Sequence, residues 1–540
     1  MTLEYFFNHT SKSITTAAVV LGGASLISRA LGLLRDRLLT HQFGAGAILD
    51  SYYAAFRIPD FLFNLLVLGV LSAAFIPMFS EYFSHEQKRA WDFLNRTLST
   101  LGIFFLVLSL LCVLLAPLLM QLVAPGFSGE KLERTIQFTR IMMLSPMLMG
   151  LSALIGGALQ SLKKFFIFAL APIMYNVGII IGISLLVPLV GPIGLACGVV
   201  LGAALHLLVQ FPALVASGFK PAWRWAWGHH DVTTLLKLMG PRVIALAATQ
   251  INLVVITIFA STLGDGAVAV FNLANNIQYV PIGLIAISFA VAAFPVMSEY
   301  AAAENPDGLA RTIGSTIRMI FVCIVPITVL LITLRAQWVR VILGSGAFDW
   351  DATIRTADAL GYFSLGLLGQ SLVHVLARAF YALKNTRTPA LCGLASVAIG
   401  IVLAYILKDR LGVSGLALTI AIQETLNAAL LWIFLRHHIG AAQNDSILKT
   451  FYKLCAAALL MVLVTQGIKV PIALFVDTHT FLGIFAQALG ASLVGIIAFL
   501  AVGMLLKIEE VFVILDAAKL RVKRIAAIIP IDLTNANDPR

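Results

Sequence analysis

Charge is scarce in this chain. Asp, Glu, Lys and Arg make up 12% of its 540 residues, about half of what a soluble domain carries. The apolar set AVILMFWYC reaches 60%. A soluble protein of that composition could not cover its surface with polar groups. Three or four soluble domains, the expectation from length at about 150 residues each, are therefore excluded in favour of an integral membrane protein. Cysteine is nearly absent too. Cys112, Cys197, Cys323, Cys392 and Cys455 lie far apart, each in a different apolar segment, so no pair has metal-ligand or redox spacing and they read as small core residues. No G-x-x-x-x-G-K-[ST] phosphate loop is present, which excludes that route to ATP. The pairs His229-His230 and His437-His438 lack a third ligand, and no nucleophile stands with a base, so neither a metal site nor an enzyme is expected. A cleavable signal is not expected either. Met1–Thr16 is polar and aromatic, and the next apolar run contains Arg29, Arg35, Asp36 and Arg37 without a small-residue cleavage site.

What is abundant is apolar sequence in runs of about 20 residues or more, the length of a bilayer-spanning helix. Fourteen candidate spans emerge, at 17–39, 50–80, 97–123, 136–160, 165–188, 192–217, 236–262, 268–298, 312–334, 358–383, 389–407, 413–435, 450–468 and 482–506. Several exceed 25 residues, which fits tilted or kinked helices. Pro59, Pro77, Pro146, Pro281 and Pro295 are the expected kink points, each removing one backbone hydrogen bond. A sheet would leave unpaired edges in lipid, so the class is all-α.

The formal charge of +11 fits a Lys/Arg surplus in cytoplasmic loops rather than a nucleic-acid partner. Loops on one side of the spans hold 23 Lys and Arg against 9 on the other, which places both termini in the cytoplasm. The tail alternates apolar residues (Val511, Phe512, Ile514, Leu515) with basic ones (Lys519, Arg521, Lys523, Arg524), the pattern of an amphipathic helix on an anionic leaflet.

The chain also repeats itself. Pro77-Met-Phe-Ser-Glu81-Tyr82 recurs as Pro295-Val-Met-Ser-Glu299-Tyr300, Gly191-Pro-Ile-Gly194-Leu-Ala as Gly412-Val-Ser-Gly415-Leu-Ala, and the segment ending at Lys163 as the segment ending at Lys384, at offsets of 218, 221 and 221. Each unit holds six spans, an even number, so the two share one orientation. The expected organisation is a six-helix lobe at 1–217, a second at 218–440, two further transmembrane helices at 441–507 and a basic cytoplasmic tail at 508–540. Parallel repeats of this kind hold substrate between them near the bilayer midplane.

An ionisable group inside a span costs at least about 2.5–3.5 kcal/mol and needs a reason. The first two spans carry Arg29, Arg35, Asp36, Arg37, Asp50, Arg57 and Asp60. Asp50, Arg57 and Asn64 are spaced by seven and share a helical face. Arg29 and Arg57, the deeper pair, read as cavity residues. For Arg35 and Arg37 a cavity role and snorkelling to the interface both stay open, and Asp60 could be a local partner of Arg57. The second lobe presents amides instead: Asn272, Asn275, Asn276 and Tyr279 at helical spacing, Gln250 with Asn252, Gln370 near His374, and Gln423 with Glu424 and Asn427. Each alone could be an interhelical hydrogen bond; together they suggest a wet inner surface. His374 reads as a packing histidine before a proton relay.

Ser28-Arg29-x-Leu-Gly32-x-x-Arg35-Asp36, Phe43-Gly44-Ala45-Gly46, Asp50 and Ala55-Phe56-Arg57-Ile58-Pro59 resemble the opening signature of the MurJ/MviN lipid II flippases, in the multidrug/oligosaccharidyl-lipid/polysaccharide exporter superfamily. The likeness continues at Ala74-Phe75-Ile76-Pro77, Ala124-Pro125-Gly126-Phe127, Gln250-Ile251, Thr257-Ile258-Phe259-Ala260-Ser261, Gly346-x-Phe348 and Lys384 to Thr388-Pro389. The resemblance implies fourteen helices and alternating-access export of undecaprenyl-pyrophosphate-linked peptidoglycan precursor across the bacterial cytoplasmic membrane. It assigns cavity roles to Arg29, Arg35 and Asp50 and a basic position to Arg57, and a pyrophosphate suits contacts from the three arginines. The polarity of the residues themselves adds Asn64, Asn275, Asn276, Tyr279, Gln250 and Glu424 to Asp50 as cavity or gating candidates. Implied partners are the lipid-linked precursor, membrane lipid and cell-wall synthesis proteins. No cofactor is expected, with the membrane potential or an ion as coupling candidates. Two positions depart from the family pattern. Phe63-Asn64 stand where an arginine pair is usual, and Asn275-Asn276 where an acid–arginine pair is usual, which shifts cationic recognition to Arg29, Arg35 and Arg57. The competing readings are a flippase for another polyprenyl-linked glycan, a drug antiporter of the same superfamily, and a non-transporting scaffold. The antiporter would want cavity carboxylates and aromatics where the first lobe has arginines.

Overall fold

The computed structural model describes residues 14–67, 75–440, 444–478 and 480–528, and at residues 14–19, 66–67, 238–249, 444, 518 and 520–528 the backbone alone. Lys12, the stretch 68–74 inside the second expected span, and the tail from 529 to Arg540 lie outside the described residues. The described chain is helical, with no strand, as the all-α class requires. The helices are α1 (Ile14–Phe43), α2 (Ala47–Ala55), α3 (Arg57–Leu62), α4 (Ile76–His85), α5 (Gln87–Val123), α6 (Gly129–Met142), α7 (Leu144–Ser161), α8 (Phe165–Ile181), α9 (Ile193–Leu208), α10 (His230–Ser261), α11 (Ala267–Pro281), α12 (Ile287–Ala302), α13 (Pro306–Thr333), α14 (Arg335–Leu343), α15 (Trp350–Leu365), α16 (Leu367–Ala382), α17 (Arg387–Ile439), α18 (Asn444–Phe475), α19 (Phe481–Leu505) and α20 (Glu509–Ile528), with short pieces between some of them.

Nine helical stretches among the described residues are long and apolar enough to cross a bilayer, and α15 with α16, bent by 45°, makes a tenth. The fourteen expected spans are not all separate helices of that kind. The 53 residues of α17 cover two of them and break at Gly412 (φ 57°, ψ −134°). The spans expected at 17–39, 50–80 and 236–262 fall on the arginine-bearing α1, on the interrupted series α2 to α4, and on α10, of whose apolar sequence Gln250–Ser261 has described side chains.

The repeat is visible in local geometry. Gly191 and Gly412 both take the left-handed region, at φ 70° and 57°, where a Cβ would be strained. Three residues on, Gly194 and Gly415 meet matching backbone: a Cβ at Gly194 would lie 2.6 Å from the Leu186 carbonyl carbon, and one at Gly415 would lie 2.8 Å from that of Leu407. Lys163 and Lys384 are likewise equivalent, at φ 59° and 58°. Single π-helical turns occur at Phe63–Val67 and Ile282–Ala286, again about one repeat apart. Such turns widen a helix and commonly mark functional sites.

By packing, the chain divides into one unit of 1–280, 338–366 and 389–427 and another of 281–337, 367–388 and 428–540. In the first unit, Phe75, Phe79, Phe93, Leu94, Phe105 and Leu154 form a buried cluster joining α4, α5 and α7. Between α8 and α9 the backbones touch. A Cβ at Gly178 would lie 2.3 Å from the Gly202 Cα, and one at Gly182 would lie 2.4 Å from the Gly198 Cα. This is the small-residue packing by which helices associate in lipid, where hydrophobic burial gives no drive. In the second unit, Arg318 of α13 bonds Ser446 Oγ at 3.0 Å and pairs with Glu510, which sits 7% exposed in the first turn of α20. Val511 beside it is fully buried. The tail helix is therefore anchored at its start.

Candidate functional site

The charged residues of α1 face two places in the first unit. Towards the start of the helix, Arg29, Arg35 and Asp36 line a cavity of about 310 Å³ whose other wall is Asn275, Asn276 and Tyr279 of α11. Arg35 approaches Asp36 Oδ1 with Nε at 3.0 Å and Nη2 at 2.9 Å, and Asn276 Nδ2 donates to Asp36 Oδ2 at 2.9 Å. Asp36 thus holds both an arginine and an amide at the cavity wall. Arg29 makes no ion pair among the described residues. It also borders a second, largely apolar cavity of about 410 Å³ between α1 and α8, with Leu21, Ala24, Ser28, Phe168 and Pro172. Arg29 therefore stands where a chamber walled by charged and amide side chains meets one walled mostly by apolar side chains.

Arg57 lies 9% exposed on α3 and hydrogen-bonds Asn272 Oδ1 on α11. Its Nε is buried with no hydrogen-bond partner. A buried guanidinium with an unused donor is costly unless a ligand completes it. Of the remaining expected site residues, Asn64 turns back to the Asp60 carbonyl at 2.9 Å, one turn earlier on its own helix. Glu424 accepts a long 3.4 Å contact from Gln423. Neither residue, nor Gln250, nor Arg57 itself, lines the cavity of Arg29 and Arg35.

Further along α1, the chain is closed off. Thr40 Oγ1 donates to the Leu343 carbonyl at 2.9 Å, and Arg37 Nη1 to that of Val341 at 2.5 Å, a cation on the carbonyls that end α14. Ala347 N–H reaches the His41 carbonyl at 2.8 Å. Gly126 N–H meets Ser261 Oγ at 3.2 Å, and a Cβ there would come within 2.2 Å of the Ser261 carbonyl oxygen. The family-like segments around Gly44, Gly126, Ser261 and Gly346 thus converge on one end of this unit.

Asp50 is at the centre of that end. Fully buried, it accepts N–H bonds from Gly266 at 2.7 Å and Ala269 at 2.8 Å, capping the start of α11. Lys131 Nζ bridges Asp50 Oδ2 and Asp265 Oδ1, each at 2.7 Å, and lies 4.0 Å over the Phe127 ring. The capping carboxylate answers unpaired helix donors and the helix dipole together. Sequence reasoning missed Lys131 and Asp265. No local pattern contains these pairings: Lys131, in the first turn of α6, stands 81 residues from Asp50 and 134 from Asp265.

The cavity and the closure are ordered along both helices. Asp36 precedes Thr40 on α1 by about 6 Å of helix rise, and Asn275 follows Ala269 on α11 by about 9 Å. Comparisons with known proteins agree with this architecture. The family model for lipid II flippase MurJ matches residues 39–486. The chain belongs to the lipid II flippase MurJ family. Members of this family are membrane transporters rather than enzymes. A probable lipid II flippase MurJ from Vibrio cholerae is 30% identical over 434 residues, covering 78% of this chain and 83% of that protein. Lipid II flippase MurJ from Burkholderia cenocepacia is 29% identical over 459 residues, covering 82% and 88%. A solved structure of lipid II flippase MurJ in an inward closed conformation superposes with a TM-score of 0.75 at 25% identity, covering 90% of this chain and 98% of that one. An inward-facing multidrug transporter of the wider superfamily shares the fold, with a TM-score of 0.64 at 16% identity over 77% of this chain and 96% of that one.

Proposed function

We propose that this flippase carries lipid II, the undecaprenyl-pyrophosphate-linked peptidoglycan precursor, from the cytoplasmic to the outer leaflet by alternating access. The observation that carries the reading is Arg29 at the junction of the polar and apolar cavities. A pyrophosphate joins an anionic, sugar-bearing head to an apolar chain, and the same junction exists here in the protein. Guanidinium groups suit multiply anionic oxygens through paired, charge-assisted bonds. Arg29 and Arg35 would meet the pyrophosphate from α1, and Arg57 with its unused Nε from α3. Asn275 and Asn276 offer neutral donors and acceptors to sugar. The first isoprene units would follow the apolar wall of Leu21, Ala24 and Phe168.

The loop charges put the Asp50–Lys131 end outside, both termini in the cytoplasm, and the cavity on the cytoplasmic side of the closure. Export then requires that Lys131 release Asp50 and that α11 lose its cap. Asp50 is in this reading the gate residue. Cell-wall synthesis proteins are the partners that would supply and consume such a substrate. The membrane potential or an ion gradient would drive the cycle.

The test is complementation of a bacterium depleted of its own flippase, with outward appearance of labelled precursor as the readout. The expected result is growth and surface labelling. Good membrane expression with neither would turn the reading to another polyprenyl-linked glycan, which the neutral Asn275-Asn276 pair would also suit.

A further inference from the structure

The segment joining α9 to α10 contains Lys220-Pro-Ala-Trp223-Arg-Trp225-Ala-Trp227, three tryptophans at alternate positions. In an extended chain, alternate residues share a face. The structure holds this segment extended along α5. Asn95 Nδ2 donates to the Lys220 carbonyl, the Ala222 N–H to Asn95 Oδ1, and the Arg224 N–H to Ser99 Oγ, each at 3.0 Å. Arg224 pairs with Asp92 at 3.4 Å. Ala226 is buried, whereas Trp223, Trp225 and Trp227 are 73%, 54% and 63% exposed. Trp225 and Trp227 stack at 6.1 Å, 13° from parallel. A pinned backbone presents three large aromatic rings outward, with no described residue covering them.

The helix on which the segment rests shows what covers it. Asp92, Asn95 and Ser99 fall on one face of α5, and the same face continues, seven and eleven residues beyond Ser99, into Leu106 and Leu110, 49% and 59% exposed. Exposed apolar side chains run from Phe104 to Leu122. That length of helix spans about 27 Å, close to the ~30 Å hydrocarbon core. Ser99 lies only about 10 Å along the axis from Leu106. The tryptophans therefore sit just outside the hydrocarbon edge, on the face of α5 that continues into its lipid-exposed leucines.

We propose that the 220–227 segment is an interfacial anchor, whose three tryptophans lie in the headgroup boundary of the leaflet at the start of α5, the cytoplasmic one in the orientation proposed above. Tryptophan favours that boundary because its ring is apolar and its indole N–H needs a polar partner. Lys88, Arg89, Arg96 and Lys220 nearby match the charge of anionic headgroups. The segment climbs α5 as it runs from Ala222 to Arg224 and has returned to the start of α5 by Asp231, 4.0 Å from Arg89, so Trp225 lies deeper than Trp223.

The test uses the full chain in vesicles of phosphatidylcholine and phosphatidylglycerol, with and without acyl chains brominated near the headgroup. The emission lost in W223F/W225F/W227F reports the three rings alone. It should be blue-shifted, quenched at least twofold by the brominated lipid, and shielded from aqueous acrylamide. Single variants W223F, W225F and W227F should rank bromine quenching with Trp225 above Trp223; they also serve if the triple variant does not fold. Acrylamide-accessible emission untouched by brominated lipid would overturn the anchor and leave these rings facing water or a protein partner. Equal or reversed ranking would overturn the placement along α5.

Discussion

Arg57 shows how a residue can be read twice. Its charge inside a span marks it as functional from sequence alone, because burying a cation needs compensation. The structure adds that Asn272 satisfies one part of the guanidinium while Nε has no partner. Arg57→Ala should abolish precursor export at unchanged protein level. Arg57→Lys should rescue only part, because an ammonium keeps the charge but lacks the planar fork. Export rates measured beside membrane abundance check both, and a lysine variant of full activity would mean that charge alone suffices. The cavity wall was legible in the same way. Arg29, Arg35, Asn275, Asn276 and Tyr279 were all singled out by polarity in an apolar setting, and the structure brings them together. In the sequence Asp36 is one of seven ionisable residues in the first two spans. Its place as acceptor for both Arg35 and Asn276 depends on a pairing 240 residues apart, which no local pattern contains.

At the scale of elements, periodicity and charge located the helices, and glycine located their breaks. Gly412 ends one expected span and begins the next, and the helix bends there. The π turns at Phe63–Val67 and Ile282–Ala286 were not legible, since nothing in residue type distinguishes a π turn from an α turn. The cap on α11 was hidden for a different reason. Its capping residue, Asp50, lies 216 residues earlier than the Gly266 N–H it accepts, whereas sequence rules for caps look at adjacent residues. Asp50→Asn should weaken the closure on two counts, by removing the charge that Lys131 pairs with and by weakening the cap. Breaking one partner of a buried pair costs about 3–5 kcal/mol, enough to shift a conformational equilibrium by more than a hundredfold. The Ala347 amide, bonded to the His41 carbonyl at this end, should exchange its proton with solvent faster in Asp50→Asn than in the parent protein. Equal exchange would show that Asp50 does not hold the end shut.

For the molecule as a whole, composition and the 23-to-9 asymmetry of basic loops carry class and orientation. A reporter inserted at Gly126–Gly129 should be accessible from outside the cell, and one fused after Arg540 only from the cytoplasm. Either on the wrong side would reverse the direction of transport inferred here. Positions paired by the repeat offset, Gly191 with Gly412 and Lys163 with Lys384, share positive φ angles. The most direct test of the account is translocation of fluorescent lipid II by the purified protein in sealed proteoliposomes, measured by its accessibility to a membrane-impermeant reagent. The parent protein should move the precursor across the bilayer, and Arg29→Ala, which removes the cation joining the polar and apolar cavities, should fall to the rate of protein-free vesicles. Full-rate translocation by Arg29→Ala would contradict the cavity assigned here.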